Sequence, residues 1–248
     1  MPCPLPWEAS TGHETIFKFQ KARLRQLSTN LQREGHFSKP PSMFACLATL
    51  AWTQVTKARQ LCDFETSKPG NQELSKVMIP VNWRRRAFPN ATKTFFGNTT
   101  VLPIAILPVH QLVQAADGHA SLAAVTRKIQ DLIDSVDEAF VTRRLRMMDA
   151  VDPRDVSVNL SPDNSSDLSI NAWEFFGADT QWEIPGVPSS SPDAIRRGRS
   201  RVSGNGVLIL PSRQASDDME VSVTLQNNTL AELSRAEGWM MWVHRSPV

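Results

Sequence analysis

Along this chain, apolar positions recur at two residues in some stretches and at three or four in others, and the alternation of the two periods divides it into strands and helices. Residues 15–20, TIFKFQ, set Ile16, Phe17 and Phe19 against Lys18 and Gln20, which predicts a short strand with one buried face. In KARLRQLSTNLQRE, Leu24, Leu27 and Leu31 fall three and four apart between charged flanks, the mark of an amphipathic helix. Two prolines make HFSKPP, 36–41, a linker. Ser42 then stands as N-cap to a helix whose Phe44, Leu47, Leu50, Ala51 and Val55 form a wide apolar face and whose Lys57 and Arg59 suit the negative helix end.

Beyond a loop around 68–71, KVMIPVNWRRR alternates Val77, Ile79 and Val81 with Met78 and Pro80, a strand ending in Arg84–Arg86. FFGNTTVLPIAIL, 95–107, reads as a strand entered at Gly97–Asn98, with Pro103 marking an edge or bulge. Between 109 and 149 the pattern predicts a helix through Leu112, Val113 and Ala116 that stops at Asp117–Gly118, then a second through Leu122, Val125, Ile129, Ile133 and Val136. Pro153 and Ser161–Asp167 mark a loop before a strand at Leu168–Ile170. Asn171–Pro185, NAWEFFGADTQWEIP, is too punctuated for a helix and reads as a crossing loop. Strands at Gly206–Leu210 and Met219–Leu225 form a hairpin, with Val221, Val223 and Leu225 inward, and a helical period resumes at Thr229–Trp242.

The composition narrows the class. An apolar fraction of 41% with 21% charged residues belongs to a folded globular chain, and a net charge of +2 argues against a dedicated nucleic-acid binder. No apolar run is long enough to span a bilayer, and the start lacks the basic-then-apolar order of a signal peptide, so a cytoplasmic location is the default reading. The three cysteines form no CxxC pair, and Cys46, inside MFACLATLAW, reads as a buried thiol. The histidines show no metal-ligand spacing. Two clusters keep two readings each. Arg84–Arg86 is either solvated or supplies a guanidinium to a buried carboxylate, and the basic turn Arg196–Arg201 is either a solvated loop or a phosphate contact.

The order of these features resembles the second half of a BAHD acyltransferase, the superfamily of CoA-dependent O- and N-acyltransferases, and most of all its fungal branch related to the trichothecene 3-O-acetyltransferases. Ser42 to Trp52 followed by Lys57–Arg59 is similar to the family's S-T-x-D-A-L-x-A-x-x-W helix, with Ala45 where Asp is usual. Val81-Asn82-Trp83-Arg84 with Phe95-Phe96-Gly97-Asn98 resembles the V-D/N-x-R and Y-F-G-N block. Asp179, Trp182 and Pro185 keep the offsets of D-F-G-W-G-x-P, but Phe and both glycines are replaced and the approach from INAW is about three residues shorter. Leu210-Pro211, Glu220-Val221-Ser222-Val223 and the closing LSRAEGW match further signatures.

The resemblance implies an α/β fold, one chloramphenicol-acetyltransferase-like half with a mixed sheet and helices packed on one side. It implies residues 1–14 as an N-terminal extension or remnant and 15–248 as the domain. Acyl-CoA, such as acetyl-CoA, would be co-substrate and not a resident cofactor. The acceptor would be a hydroxylated small molecule of secondary metabolism, as in mycotoxin biosynthesis, with no nucleic acid or membrane as partner. Structural roles fall to an Asp179–Arg84 ion pair and to Trp182, CoA-side contacts to Lys39 and Ser42, and the acyl pocket to Trp173. Against these stand a solvated charge for Lys39, a helix cap for Ser42 and a core aromatic for Trp173. The family's general base is the His of H-x-x-x-D in its first domain. Four residues after His13, His36, His110, His119 and His244 stand Phe17, Pro40, Gln114, Ala123 and Val248, so the resemblance implies that this motif lies outside the chain and no catalytic residue is assigned within it. Either the chain is a truncated form of such an enzyme, or a separate protein supplies that half, or the chain is an inactive remnant or a CoA- or partner-binding module.

Overall fold

The computed structural model describes residues 12–62, 73–88, 95–157, 160, 166–186, 188–197 and 206–245. The loop at 68–71, residues 161–165, the end of the basic turn at 198–201, and Cys3 lie outside them. The elements run β1 (His13–Gln20), α1 (Lys21–Glu34), α2 (Met43–Cys62), β2 (Leu74–Met78), β3 (Val81–Asn82), β4 (Thr100–Val101) and β5 (Ile104–Pro108). Then come α3 (Val109–Asp117), α4 (His119–Asp134), α5 (Glu138–Asp149), β6 (Leu168–Ala172), β7 (Gly206–Ile209), β8 (Asp218–Leu225), α6 (Asn227–Leu233), α7 (Glu237–Met240) and β9 (Val243–Arg245).

Seven strands make one mixed sheet in the order β5-β2-β6-β7-β8-β1-β9. β2, β6 and β7 are parallel neighbours and the remaining pairs antiparallel. The first strand lies between two of the last. Phe17 is opposite Val221 on β8, while Phe19 is opposite Val243 on β9. Trp239 of α7 closes over this seam, its ring edge-on to Phe17 at 5.4 Å and to Phe19 at 5.0 Å, and all three side chains are fully buried. Edge-to-face pairs of this kind add about 0.5–1.5 kcal/mol beyond the area they bury.

Helix α2 is the axis of the helical layer. The apolar pattern predicts one wide face, yet every residue from Ala45 to Thr56 is buried, so the helix is enclosed on all sides. Its polar residues fit because they bond inward: Thr49, Thr53 and Thr56 donate to the carbonyls of Ala45, Thr49 and Trp52 at 2.8, 2.9 and 2.6 Å. Trp52 Nε1 donates to Ser75 Oγ at 2.8 Å, tying α2 to β2. The end of α2 is tied to the strand β6 entrance, where Arg59 donates to the Asp167 carbonyl at 3.2 Å and the Asp167 carboxylate accepts from Lys76 N at 3.1 Å.

Four boundaries differ from the sequence reading. The strand expected to run through Ile79 and Pro80 breaks there into β2 and β3, since proline cannot donate to a ladder. Pro103 separates β4 from β5 in the same way. The second of the two expected helices ends at Asp134, and a third, α5, starts where Asp137 accepts from Phe140 N at 2.7 Å. The closing helical period is two short helices followed by β9, which the pattern does not announce.

Candidate functional site

Residues 35–41 cross from α1 to α2, and their path is set by two contacts. The Arg127 guanidinium lies over the Phe37 ring, 4.3 Å from its centroid, and donates to the Gly35 carbonyl. At the other end Ser28 Oγ donates to the Pro41 carbonyl at 2.5 Å. Lys39 is thereby held exposed, outside any ion pair among the described residues. Ser42 accepts from Ala45 N at 3.1 Å, so it caps the 20-residue α2 as its position predicts. Just inside that end, burial pushes the Cys46 thiol up to about 12, which keeps it protonated and unreactive as expected of a core cysteine.

Trp173 follows β6 and donates its backbone N–H to the Ile209 carbonyl at 2.8 Å. Its half-buried ring stacks on Phe176 at 5.9 Å with 15° between planes. The turn that brings the two rings together continues into Gly177, whose φ of 74° lies in the left-handed region. Glu174 points into a cleft of about 380 Å³ lined by Lys21, Phe175, Thr180, Ser212 and Gln214. Burial holds the Glu174 carboxyl above the usual carboxylate range, with the Lys21 ammonium acting in the opposite sense. Lys21 is itself buried and donates to the Arg213 carbonyl at 3.2 Å. The sequence reading missed this pair. Lys21 looks like one of several cations on a charged helix flank, and nothing local tells that the chain folds over it 190 residues later.

The expected Asp179–Arg84 ion pair is absent from the described residues. Asp179 is exposed and accepts from Gln214 N at 3.0 Å. Arg84 turns instead to the carbonyls of Phe95 and Gly97, at 3.3 and 3.1 Å. Asn82 completes the arrangement by accepting from Arg84 N and from Thr99 Oγ1, both at 3.0 Å. The V-N-W-R and F-F-G-N segments therefore meet one another, and among the described residues the guanidinium meets the neutral carbonyls of Phe95 and Gly97. The reason is topological: Arg84 follows β3 of the small two-stranded β3–β4 sheet, while Asp179 packs by the β7–β8 turn. Trp182, expected as a structural residue, is anchored through its backbone, N to the Ser190 carbonyl at 3.1 Å, and its side chain stays 48% exposed. Arg86, two along, donates to the Ile133 carbonyl at 2.9 Å.

Of the histidines, His244 has a carboxylate neighbour, its Nδ1 lying 3.2 Å from Asp218 Oδ1 across the β8 and β9 ends. The spacing rule applied to the sequence could not find it, because the two residues meet through the sheet. Among the described residues no group of His, Cys, Asp and Glu could hold a metal ion, and no helix is long and apolar enough to cross a membrane.

Comparison with known proteins agrees with this architecture. A family model described as the Transferase family matches residues 6–238. A curated relative, tryptamine benzoyltransferase 2 of Oryza sativa subsp. japonica, is 32% identical over 139 residues, which cover 53% of this chain and 28% of that protein. The structure of F. graminearum TRI101 complexed with coenzyme A and deoxynivalenol superposes with a TM-score of 0.71 at 14% identity, over 96% of this chain and 50% of that one. Vinorine synthase superposes with a TM-score of 0.58 at 16% identity, over 95% and 48%. The chain thus spans about half the length of these structures and less of the curated relative. The fold is the mixed-sheet, chloramphenicol-acetyltransferase-like half expected from the sequence.

Proposed function

We propose, because this chain belongs to the Transferase family, that it forms the second half of a BAHD-type acyltransferase that moves an acyl group from CoA to a hydroxyl or amine of a small molecule. The observation that carries the reading is the family match across residues 6–238, within which the motifs keep their order along the chain. In the finer form of the proposal the group is acetyl or similar, and the acceptor is a hydroxylated secondary metabolite of the kind used in fungal mycotoxin biosynthesis, in the cytoplasm. The domain is residues 15–248, with 1–14 an N-terminal extension or remnant whose last two residues, His13 and Glu14, already belong to β1. Lys39 and Ser42 face the CoA side: an exposed cation beside the N-terminal end of α2 suits a phosphate, since helix N-termini attract negative charge. Trp173 lines the acyl pocket. None of the histidines in residues 1–248 has Asp four residues on, so removal of the acceptor proton is assigned to the His of an H-x-x-x-D segment outside these residues.

The test is calorimetric binding of CoA to the purified chain, paired with transfer from acetyl-CoA to hydroxyl and amine acceptors, with and without a first-domain polypeptide of the family. The proposal expects CoA binding that Lys39→Ala weakens, and turnover only in the combination. Turnover by the chain alone that survives substitution of every histidine would overturn the assignment of the base. The absence of a histidine at family spacing also favours a second reading, a module that binds CoA or a partner without turnover. CoA binding with no turnover in either arrangement selects that reading.

A further inference from the structure

Helix α5 is seated at one end and overhangs at the other. Among its side chains only Val141 is buried, with Phe140 half-buried against the core, and every residue from Leu145 to Asp149 is exposed. The overhang is not the polar surface that solvent alone would favour. Leu145 is 44% exposed, Met147 42% and Met148 48%, with Val151 just past the helix end at 38%. Interleaved with them are Arg143, Arg144 and Arg146, none in an ion pair among the described residues. Helical spacing puts Met147 four residues from Arg143 and three from Arg144, and Met148 four from Arg144, so these four share one face. The Arg144 guanidinium already rests 3.5 Å from Met147 Sδ.

We infer that this face of α5 is a docking surface for an acidic amphipathic segment of another protein, laid along Met147 and Met148 with its carboxylates on Arg143 and Arg144. Charge complementarity decides the occupant. Methionines re-pack against a range of apolar partners, and unpaired guanidinium groups give the contact its electrostatic selection. A second copy of the chain is the poorer fit, because a two-fold contact presents the same patch twice and doubles its positive charge. An anionic lipid surface is poorer as well: the exposed part is short, its apolar residues are about half covered and none is aromatic, whereas interfacial helices use Trp and Phe to enter the headgroup layer. The surface is independent of the transfer chemistry proposed above, and its test does not depend on turnover.

The experiment uses the whole chain and a labelled synthetic helix with leucines three and four apart and glutamates between them, with a sequence-scrambled peptide as control. Binding is read by fluorescence anisotropy. The wild type is expected to bind the helix and not the scrambled control, with affinity falling about tenfold or more in R143E/R144E, in Met147→Ser, and on raising salt from about 50 to 500 mM. All three residues are at the surface, and circular dichroism checks that the variants remain folded. Three outcomes overturn the inference: no binding of the acidic helix, binding that R143E/R144E leaves unchanged, or an R143E/R144E effect seen only in sedimentation with phosphatidylserine vesicles or in self-association.

Discussion

The Arg84 guanidinium donates to the Gly97 carbonyl across 3.1 Å and so closes the loop that joins the two ends of the small β3–β4 sheet. Removing it leaves two exposed carbonyls to water. Arg84→Ala is expected to lower stability by about 0.5–1.5 kcal/mol, the net worth of a typical intramolecular hydrogen bond. Asp179→Ala, which removes only an exposed acceptor from Gln214 N, is expected to cost about 1 kcal/mol or less. The two should add within about 0.5 kcal/mol in a double-mutant cycle by urea unfolding. A coupling energy well above that would show that the two residues interact after all.

Ser42 is a cap whatever else it does. Ser42→Ala is expected to destabilise the chain by about 1 kcal/mol, and Ser42→Asp to leave stability nearly unchanged, since Asp accepts from the same backbone N–H. If CoA binding is measured on the same variants, an Asp that restores stability but not affinity separates the two roles, because its charge would repel phosphate.

Asp167 is 2% exposed and accepts from Lys76 N at 3.1 Å, at the joint between β2 and β6. Deleting the carboxylate in Asp167→Ala removes an acceptor of that part-buried N–H and is expected to cost about 1–2 kcal/mol, with Asp167→Asn recovering part of the loss. Thermal or urea unfolding of the three proteins checks the order.

Glu174 gives the chain a pH signature. Burial raises its folded-state value, so in the window from about 4.3 upward to that raised value the folded chain holds a proton that the unfolded chain has released. Its contribution to stability therefore declines as pH rises through the window and is level above it. Glu174→Gln does not titrate, and the difference in unfolding free energy between wild type and variant should fall as pH rises above the ordinary carboxylate range and then level off, as read in denaturant titrations. A flat difference would mean that the carboxyl is as free in the folded chain as in water.

How far the sequence led depended on whether a feature is local. Helix α1, with leucines at 24, 27 and 31, comes out residue for residue, because an amphipathic face is written within a single turn and the next. The burial of α2 on all sides was not legible, because nothing in the apolar pattern tells that the hydroxyls of Thr49, Thr53 and Thr56 bond to the helix's own carbonyls. Strand β9 was hidden because three residues carry no period, and its existence depends on the free edge of β1. Among the site residues, Ser42 declared itself through its position before an apolar run. The partner of Arg84 could not be read, since a motif fixes which residues recur and not which atoms they face. The Lys21–Glu174 cleft was out of reach for the same reason that β1 was only half understood, as both are completed by chain far away in sequence.

That distance matters for how the molecule comes into being. β1 finds its neighbours only when β8 and β9 exist, with His13 opposite Leu225 and Phe19 opposite Val243, so it remains an open edge until both have been made. Closing so long a loop is slow and leaves Phe17 and Phe19 uncovered in the meantime. During that interval the nascent chain offers an aromatic strand edge to any passing β-segment, the kind of surface that chaperones cover.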